Sequence, residues 1–398
     1  MFSFNTPHTP PTAKEDDLTF LRLIRSRRVG PATFHRMITE HGTTQAALDA
    51  LPEVARKAGV GDYEPCAEAI AAAELKAGRK AHARLIRYDS PDYPPLLREI
   101  HDAPPVIWVK GNIQALQRPT LAVIGARNAS SLGLRMARSM ASALTKAGIV
   151  VTAGLARGID SAAHEASLQF GTIAVMAGGV DHVYPSENRV LAASICAQGC
   201  LISEQPPGLA PFARHFPLRN RIISGLSHGV IVVEAAIRSG SLITARDALD
   251  QGRDVLAVPG HPVDGRAGGC NQLIRDGATL VRCAEDVIDA LPGLQSVLSG
   301  TGVNANPARP CKPPGPGMPP VPPQTNQQKQ PVLPLPHHGT THTRIETQVL
   351  ARLSPSPTDE NTLIRDIGLP ASELAPVLLQ LELSGRMTRL SGGRLALT

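Results

Sequence analysis

From residue 119 the chain lays down seven short apolar runs: TLAVIGA, GIVVTAG, TIAVMAGG, CLISEQ, GVIVVEA, DVLAVPG and ATLV. Helical stretches follow most of them, over 131–147, 159–170, 186–198, 217–226, 241–251 and 270–276. Runs that are apolar on both faces and separated by helices specify a mostly parallel sheet covered on both sides. This alternation constrains the fold more than any other feature, and it makes 119–291 a doubly wound α/β domain.

The flanks obey other periods. Residues 1–15 are polar and Pro-rich. Residues 16–86 read helical throughout, with apolar positions every three or four residues. Within them RRVGPATFHRMI resembles a helix-hairpin-helix turn, where Gly30 permits a tight bend and free N–H groups can face a phosphate; a plain helix-helix corner is the alternative. Residues 87–118, with the strand VIWVKG, read as an extension of the sheet domain. Twelve prolines fall within 307–336, and no acidic residue occurs in 292–340. That composition marks 292–340 as a disordered linker. Residues 341–398 then give three helices and two strands around Gly392-Gly393, the pattern of a winged helix.

Charge excludes a diffuse polycation. The regions 1–118, 119–291 and 292–398 carry +2, +1 and +3, which sum to the +6 of the whole chain. Anion binding must therefore be local. The middle region has fourteen Arg and one Lys, a bias that suits forked phosphate contacts. Six scattered cysteines offer no second pair at metal spacing and read as free thiols. No signal pattern or long apolar run appears, so a soluble cytoplasmic chain without cofactor or metal is expected.

In an open parallel sheet, ligands bind beyond the C-terminal strand ends, at helix N-termini. The polar signals fall there. After the first run come Gly125, Arg127, Asn128 and Ser130; after the second, Gly154, Arg157 and Gly158. After the third comes GGVDHVYPSEN, with Tyr184; after the fifth, Arg238, Gly240, Ser241 and Thr244. Arg219, Asn220 and Arg221 precede the fifth run, in FPLRNRIISGLS. The convergence favours an anionic ligand. No P-loop, dinucleotide fingerprint or nucleophile elbow is present. His164, Asp181, His182, Glu204, His261 and Asp264 are acid/base candidates, but no spacing compels a catalytic reading.

The ordered stretches AVIGARNAS, VTAGLARGIDSAAHEASL, GGVDHVYPSEN, ISEQPPGLAPFARHFPLRNRIISGLS, VVEAAIRSGSLITARDAL, GRDVLAVPG and GCNQLIRDGA resemble the DNA-processing protein A (DprA/Smf) family. The resemblance covers the α/β domain, and the flanks resemble the family's sterile-alpha-motif-like and winged-helix parts. It implies a Rossmann-like, non-enzymatic protein that binds single-stranded DNA. Such a protein protects incoming strands, loads the RecA recombinase in natural transformation, and dimerises through the α/β domain. It also implies a basic pocket containing Arg127 and the RNR pair, Arg219 and Arg221, although one of the two can instead pair with Glu234 or Glu204. A basic residue commonly follows YP in the family; here that place is Ser186, with Arg189 one turn on as a substitute. With aromatic content of 3%, phosphate contacts should outweigh stacking, and Tyr184 and Phe216 are the nearest stacking candidates.

Two other classes compete. The α/β domain resembles, more distantly, nucleotide phosphoribohydrolases, although their PGGxGT loop is not reproduced. A pure interaction scaffold joined by the linker is the other. The expected recognition helix, 371–384, contains Glu373 and Glu382 and no basic residue, so the winged helix reads as a protein-contact or weak DNA element. Its basic residues, Arg386, Arg389 and Arg394, lie on the wing.

Overall fold

A computed structural model describes residues 16–300, 340–353, 358–390 and 394–397. Four helices open the chain: α1 (Asp17–Arg25), α2 (Pro31–His41), α3 (Thr44–Lys57) and α4 (Glu68–Lys80). The helical expectation for 16–86 is corrected at its end, because β1 (Arg84–Arg87) is a strand. His82 at φ 53° turns the chain out of α4, and β1 then pairs antiparallel with β2 (Val106–Gly111), after the short α5 (Pro95–Arg98).

The sheet domain alternates as expected: β3 (Thr120–Ile124), α6 (Ser131–Lys146), β4 (Val150–Ala153), α7 (Ile159–Ser167), β5 (Thr172–Val175), α8 (Arg189–Gln198) and β6 (Cys200–Ser203). Then come α9 (His215–Gly225), β7 (Gly229–Val232), α10 (Ser241–Asp250), β8 (Asp254–Ala257), α11 (Gly268–Arg275), β9 (Thr279–Leu280) and α12 (Ala284–Ala290). The strand order is β1-β2-β6-β5-β4-β3-β7-β8-β9, and all ladders from β6 to β9 are parallel. Successive connections run one way from β3 and the other way from β7, so the switch point lies between these two strands. Alternate residues of β3 enter opposite cores: Leu121 and Val123 one, Ala122 and Ile124 the other.

The first four helices share their core with the sheet edge, because Val106 and Trp108 of β2 pack among Phe20, Phe34 and Leu48. A Cβ on Gly78 would lie 2.0 Å from the Trp108 ring, so only glycine lets α4 lie this close. The Trp108 indole N–H donates to Glu74 at 2.8 Å, and Arg25 pairs with the same carboxylate.

The expected linker begins too early at 292. Residues 292–300 form α13 (Pro292–Gly300), whose Leu294 and Leu298 are buried beside α6 and α12 residues. Apolar spacing at i and i+4 prevails there over the lack of acids. Residues 301–339 lie outside the described residues. The C-terminal unit comprises α14 (Thr340–Arg352), β10 (Thr358–Asp359), α15 (Glu360–Ile367), α16 (Ala371–Leu383), β11 (Met387–Leu390) and β12 (Arg394–Leu397), closing a three-stranded sheet and its own core. Cys66, Cys196, Cys200 and Cys270 are free thiols, whereas Cys283, expected free, is disulfide-bonded. Among the described residues no helix is long and apolar enough to cross a membrane.

Candidate functional site

The loops after β3 and β7, on either side of the switch point, open a cavity of about 650 Å³. Gly125, Arg127 and Asn128 line it from one side; Arg238, Gly240, Ser241 and Thr244 line it from the other. Helix α9 supplies Arg219 and Asn220, and the turn before α11 supplies Arg266. A narrower cleft of about 60 Å³ adjoins it, between Arg157, Tyr184, Phe216 and Arg219. Phe216 lines both spaces. Its ring meets Tyr184 edge-on at 5.7 Å and lies 5.5 Å beneath the Arg127 guanidinium. The expected dominance of phosphate contacts thus has an aromatic pair beside it, which chain-wide aromatic content could not reveal.

The α9 arginines part company. Residues two apart on a helix project about 200° from one another and cannot share a face. Arg219 points under the cavity, where its Nη1 donates to the Val175 carbonyl at 3.1 Å and its Nε has no partner among the described residues. Burial lowers its pKa to about 10, partly offset by Asp160, so the guanidinium is charged at neutral pH. Arg221 is buried on the opposite side, with Nη2 on Glu204 at 2.5 Å and Nε on Asp102 at 3.1 Å. The expectation that both line the phosphate pocket is corrected for Arg221, which takes the Glu204 alternative.

Two helix starts offered to a phosphate already hold carboxylates. At α6, Ser130 caps Gly133 N–H at 3.0 Å, while its own N–H and hydroxyl donate to Glu234 at 3.0 and 2.5 Å. At the next loop the N–H groups of Gly154 and Ala156 donate to Asp160 at 3.0 and 3.3 Å. The positive end of a helix attracts any carboxylate within reach, and the fold supplies one at each. The donors of Ser130 and the N–H of Gly154 are therefore taken by carboxylates, although Gly154 still lines the narrower cleft. Gly154 has a second role, since a Cβ there would lie 1.5 Å from Arg219 Nη1. Gly158, at φ 77°, lets its loop lie against the Ala126 carbonyl, 2.3 Å from where a Cβ would sit. Ser241 stitches the loops further, its hydroxyl donating to the Gly125 carbonyl at 2.8 Å.

Burial raises the pKa of both Asp160 and Glu234, against the hydrogen bonds that lower it. His164 is fully buried. Thr172 donates its hydroxyl to the Val151 carbonyl and so accepts from His164 Nδ1 at 2.8 Å. Burial, with Arg219 nearby, pushes His164 down to about 3. Glu204 and Asp264 are held in ion pairs with Arg221 and Arg266. Arg157 is exposed and pairs with Glu187. Ser186 and Arg189 line neither cavity, so the substitution of Arg189 for the missing basic residue is not met here. Arg266 was missed by sequence reasoning; its only signal is a position just before a helix in a strand-to-helix turn.

A family model described as DNA recombination-mediator protein A matches residues 84–292. The chain belongs to this family. A DprA-like N-terminal HHH domain model matches residues 14–77 and a DprA winged helix domain model residues 318–393. Protein Smf of Escherichia coli is 38% identical over 312 residues, which cover 78% of this chain and 76% of that protein. The DNA processing protein DprA of Streptococcus pneumoniae is 47% identical over 198 residues, covering 49% of this chain and 70% of the relative. A crystal structure of DprA from the same organism overlaps 70% of this chain and 99% of its own, at TM-score 0.59 and 36% identity. The family match accounts for the glycine-rich loops and for the helical and winged-helix flanks together.

Proposed function

We propose that the chain binds single-stranded DNA at the cavity beyond β3 and β7, without a chemical step, and hands the strand to a recombinase of the RecA type. The observation that carries this reading is Arg219: a buried, charged guanidinium with an unsatisfied N–H beneath an open cavity, flanked by Arg127 and Arg238. A buried cation without a full set of acceptors is costly, and a phosphodiester oxygen would supply one. The Tyr184–Phe216 pair beside it offers a face and an edge to a base. The ligand class follows from this pairing of guanidinium and aromatic groups, and binding should be indifferent to sequence and weaken with salt.

The finer parts of the reading are strand protection during natural transformation, a cytoplasmic location, and a homodimer formed through the sheet domain. They rest on family membership. Fluorescence anisotropy with a labelled oligothymidylate tests the core of it. Arg219→Ala and Arg127→Ala should each weaken binding about tenfold, as expected for losing a hydrogen bond to a charged group. Arg127→Ala should also reduce the slope of log K against log salt by about 0.7. Parent-like binding by both variants at moderate salt would refute the assigned pocket. Release of free base from nucleoside monophosphates, quenched by Glu234→Gln, would support the enzyme reading instead.

A further inference from the structure

The cavity rim carries one guanidinium that the C-terminal unit already holds. Arg266 lines the cavity, and its Nε pairs with Asp264 at 3.1 Å. Its Nη1 reaches out of the sheet domain to the Ala351 carbonyl at 2.7 Å, and its Nη2 is shared between the Leu353 carbonyl and Asp264 Oδ2, the latter at 3.3 Å. Both carbonyls lie at the C-terminal end of α14. A helix end has carbonyls without intrahelical partners and carries the negative pole of the helix dipole. The end of α14 thus presents to Arg266 the same kind of acceptors that a phosphate would.

A second contact holds the same unit. Asp366, at the end of α15, is buried against α6, with Arg138 Nη1 at 3.5 Å from its Oδ1 and its Oδ2 without a partner. Arg138 is shared with Glu165 at 4.0 Å. The docked position therefore rests on one good anchor, Arg266, and one incompletely satisfied one.

We propose that the winged-helix unit masks Arg266, so that its docking and strand binding at the cavity oppose one another. This rests on the strand-binding reading above. A phosphodiester is charged and a peptide carbonyl is not, so the strand is the stronger acceptor for Arg266. Taking Arg266 removes the anchor of α14, and the unit leaves the sheet domain. By linkage, the strand opposes docking by the same factor that docking opposes the strand, so a variant that undocks the unit binds the strand more tightly.

The test uses the full chain. Asp366→Arg sets a like charge against Arg138 without touching the cavity; Asp366→Asn is the milder companion if the first variant loses its fold by circular dichroism. Small-angle scattering without DNA should show a larger radius of gyration for the variant than for the parent. Affinity for labelled oligothymidylate should rise about fivefold, the low end of ordinary coupling between sites. Adding Arg266→Ala should abolish that gain. Saturating the parent with the same oligonucleotide should expand it. An expanded variant that binds no tighter, or a saturated parent that stays compact, overturns the proposal. A parent that binds no oligonucleotide while Asp366→Arg still expands it overturns the strand-binding reading itself, and the masking role with it.

Discussion

The cavity and the wing of the C-terminal unit are both places where arginines cluster, and the structure treats them oppositely. On the wing, Arg386 pairs with Glu346, and Arg389 with Glu360 and Glu382. In the cavity, Arg219 keeps an unsatisfied Nε, and Arg127 lies over an aromatic ring. The nearest cavity carboxylate, Asp160, accepts two loop N–H groups. A count of basic residues cannot separate the two regions. What separates Arg127 and Arg219 from the wing arginines is that neither has a carboxylate in ion-pair contact among the described residues, whereas Asp264 and Glu187 answer Arg266 and Arg157 beside them. The wing, which sequence reading singled out as the basic part of its domain, is neutralised by its own helices. On α16, Leu379 and Leu383 are exposed.

The largest effect expected from breaking this comparison comes from the arginine held by two carboxylates, although its Nη1, like Arg219 Nε, has no partner among the described residues. Arg221→Ala leaves Asp102 and Glu204 facing each other without their cation. It should cost about 3 kcal/mol in urea-induced unfolding, because breaking a buried pair strands a charge. Oligothymidylate affinity of the folded fraction should stay at the parent value. A loss of affinity comparable to that of Arg219→Ala would put Arg221 back in the pocket.

Next is the region beneath the cavity. His164 binds a proton in the unfolded chain below its ordinary pKa but resists it in the fold down to about 3. Stability is therefore full above about pH 6.5 and falls as pH drops through the window from 6.5 to 3, by up to about 1.4 kcal/mol per pH unit. Between pH 6.5 and 5 the loss should be about 2 kcal/mol, and His164→Asn should flatten the curve there. An unchanged pH profile would show that His164 is not the group responsible.

The smallest effect belongs to the wing. Arg389→Ala removes a partly exposed pair and should change strand affinity by less than about 0.5 kcal/mol, with a similarly small change in stability. A tenfold loss of strand binding would erase the contrast and make the wing a DNA contact.

Much of the architecture could be read in advance, because the strand-and-helix alternation has a period that each segment carries by itself. The strand β1 and the helix α13 escaped, one because an alanine-rich run continues a helical pattern past His82, the other because proline and lack of acid outweighed two well-spaced leucines. For the site, the loops were found because the parallel sheet fixes where strand ends lie. The roles within them were misjudged wherever an acid intervened, from far along the chain at Ser130 (Glu234) and Arg221 (Asp102) and from the following turn at Gly154 (Asp160).

Local pattern alone set the strand order's raw material, the helices and the position of the glycine-rich turns. Only the folded chain decided which guanidinium groups remain available, since that depends on carboxylates brought from 17 to 119 residues away, Glu204 and Asp102 to Arg221. Periodicity is a property of neighbours, whereas charge compensation is a property of space. That is why Arg219 and Arg221, alike in sequence and two positions apart, end with opposite tasks.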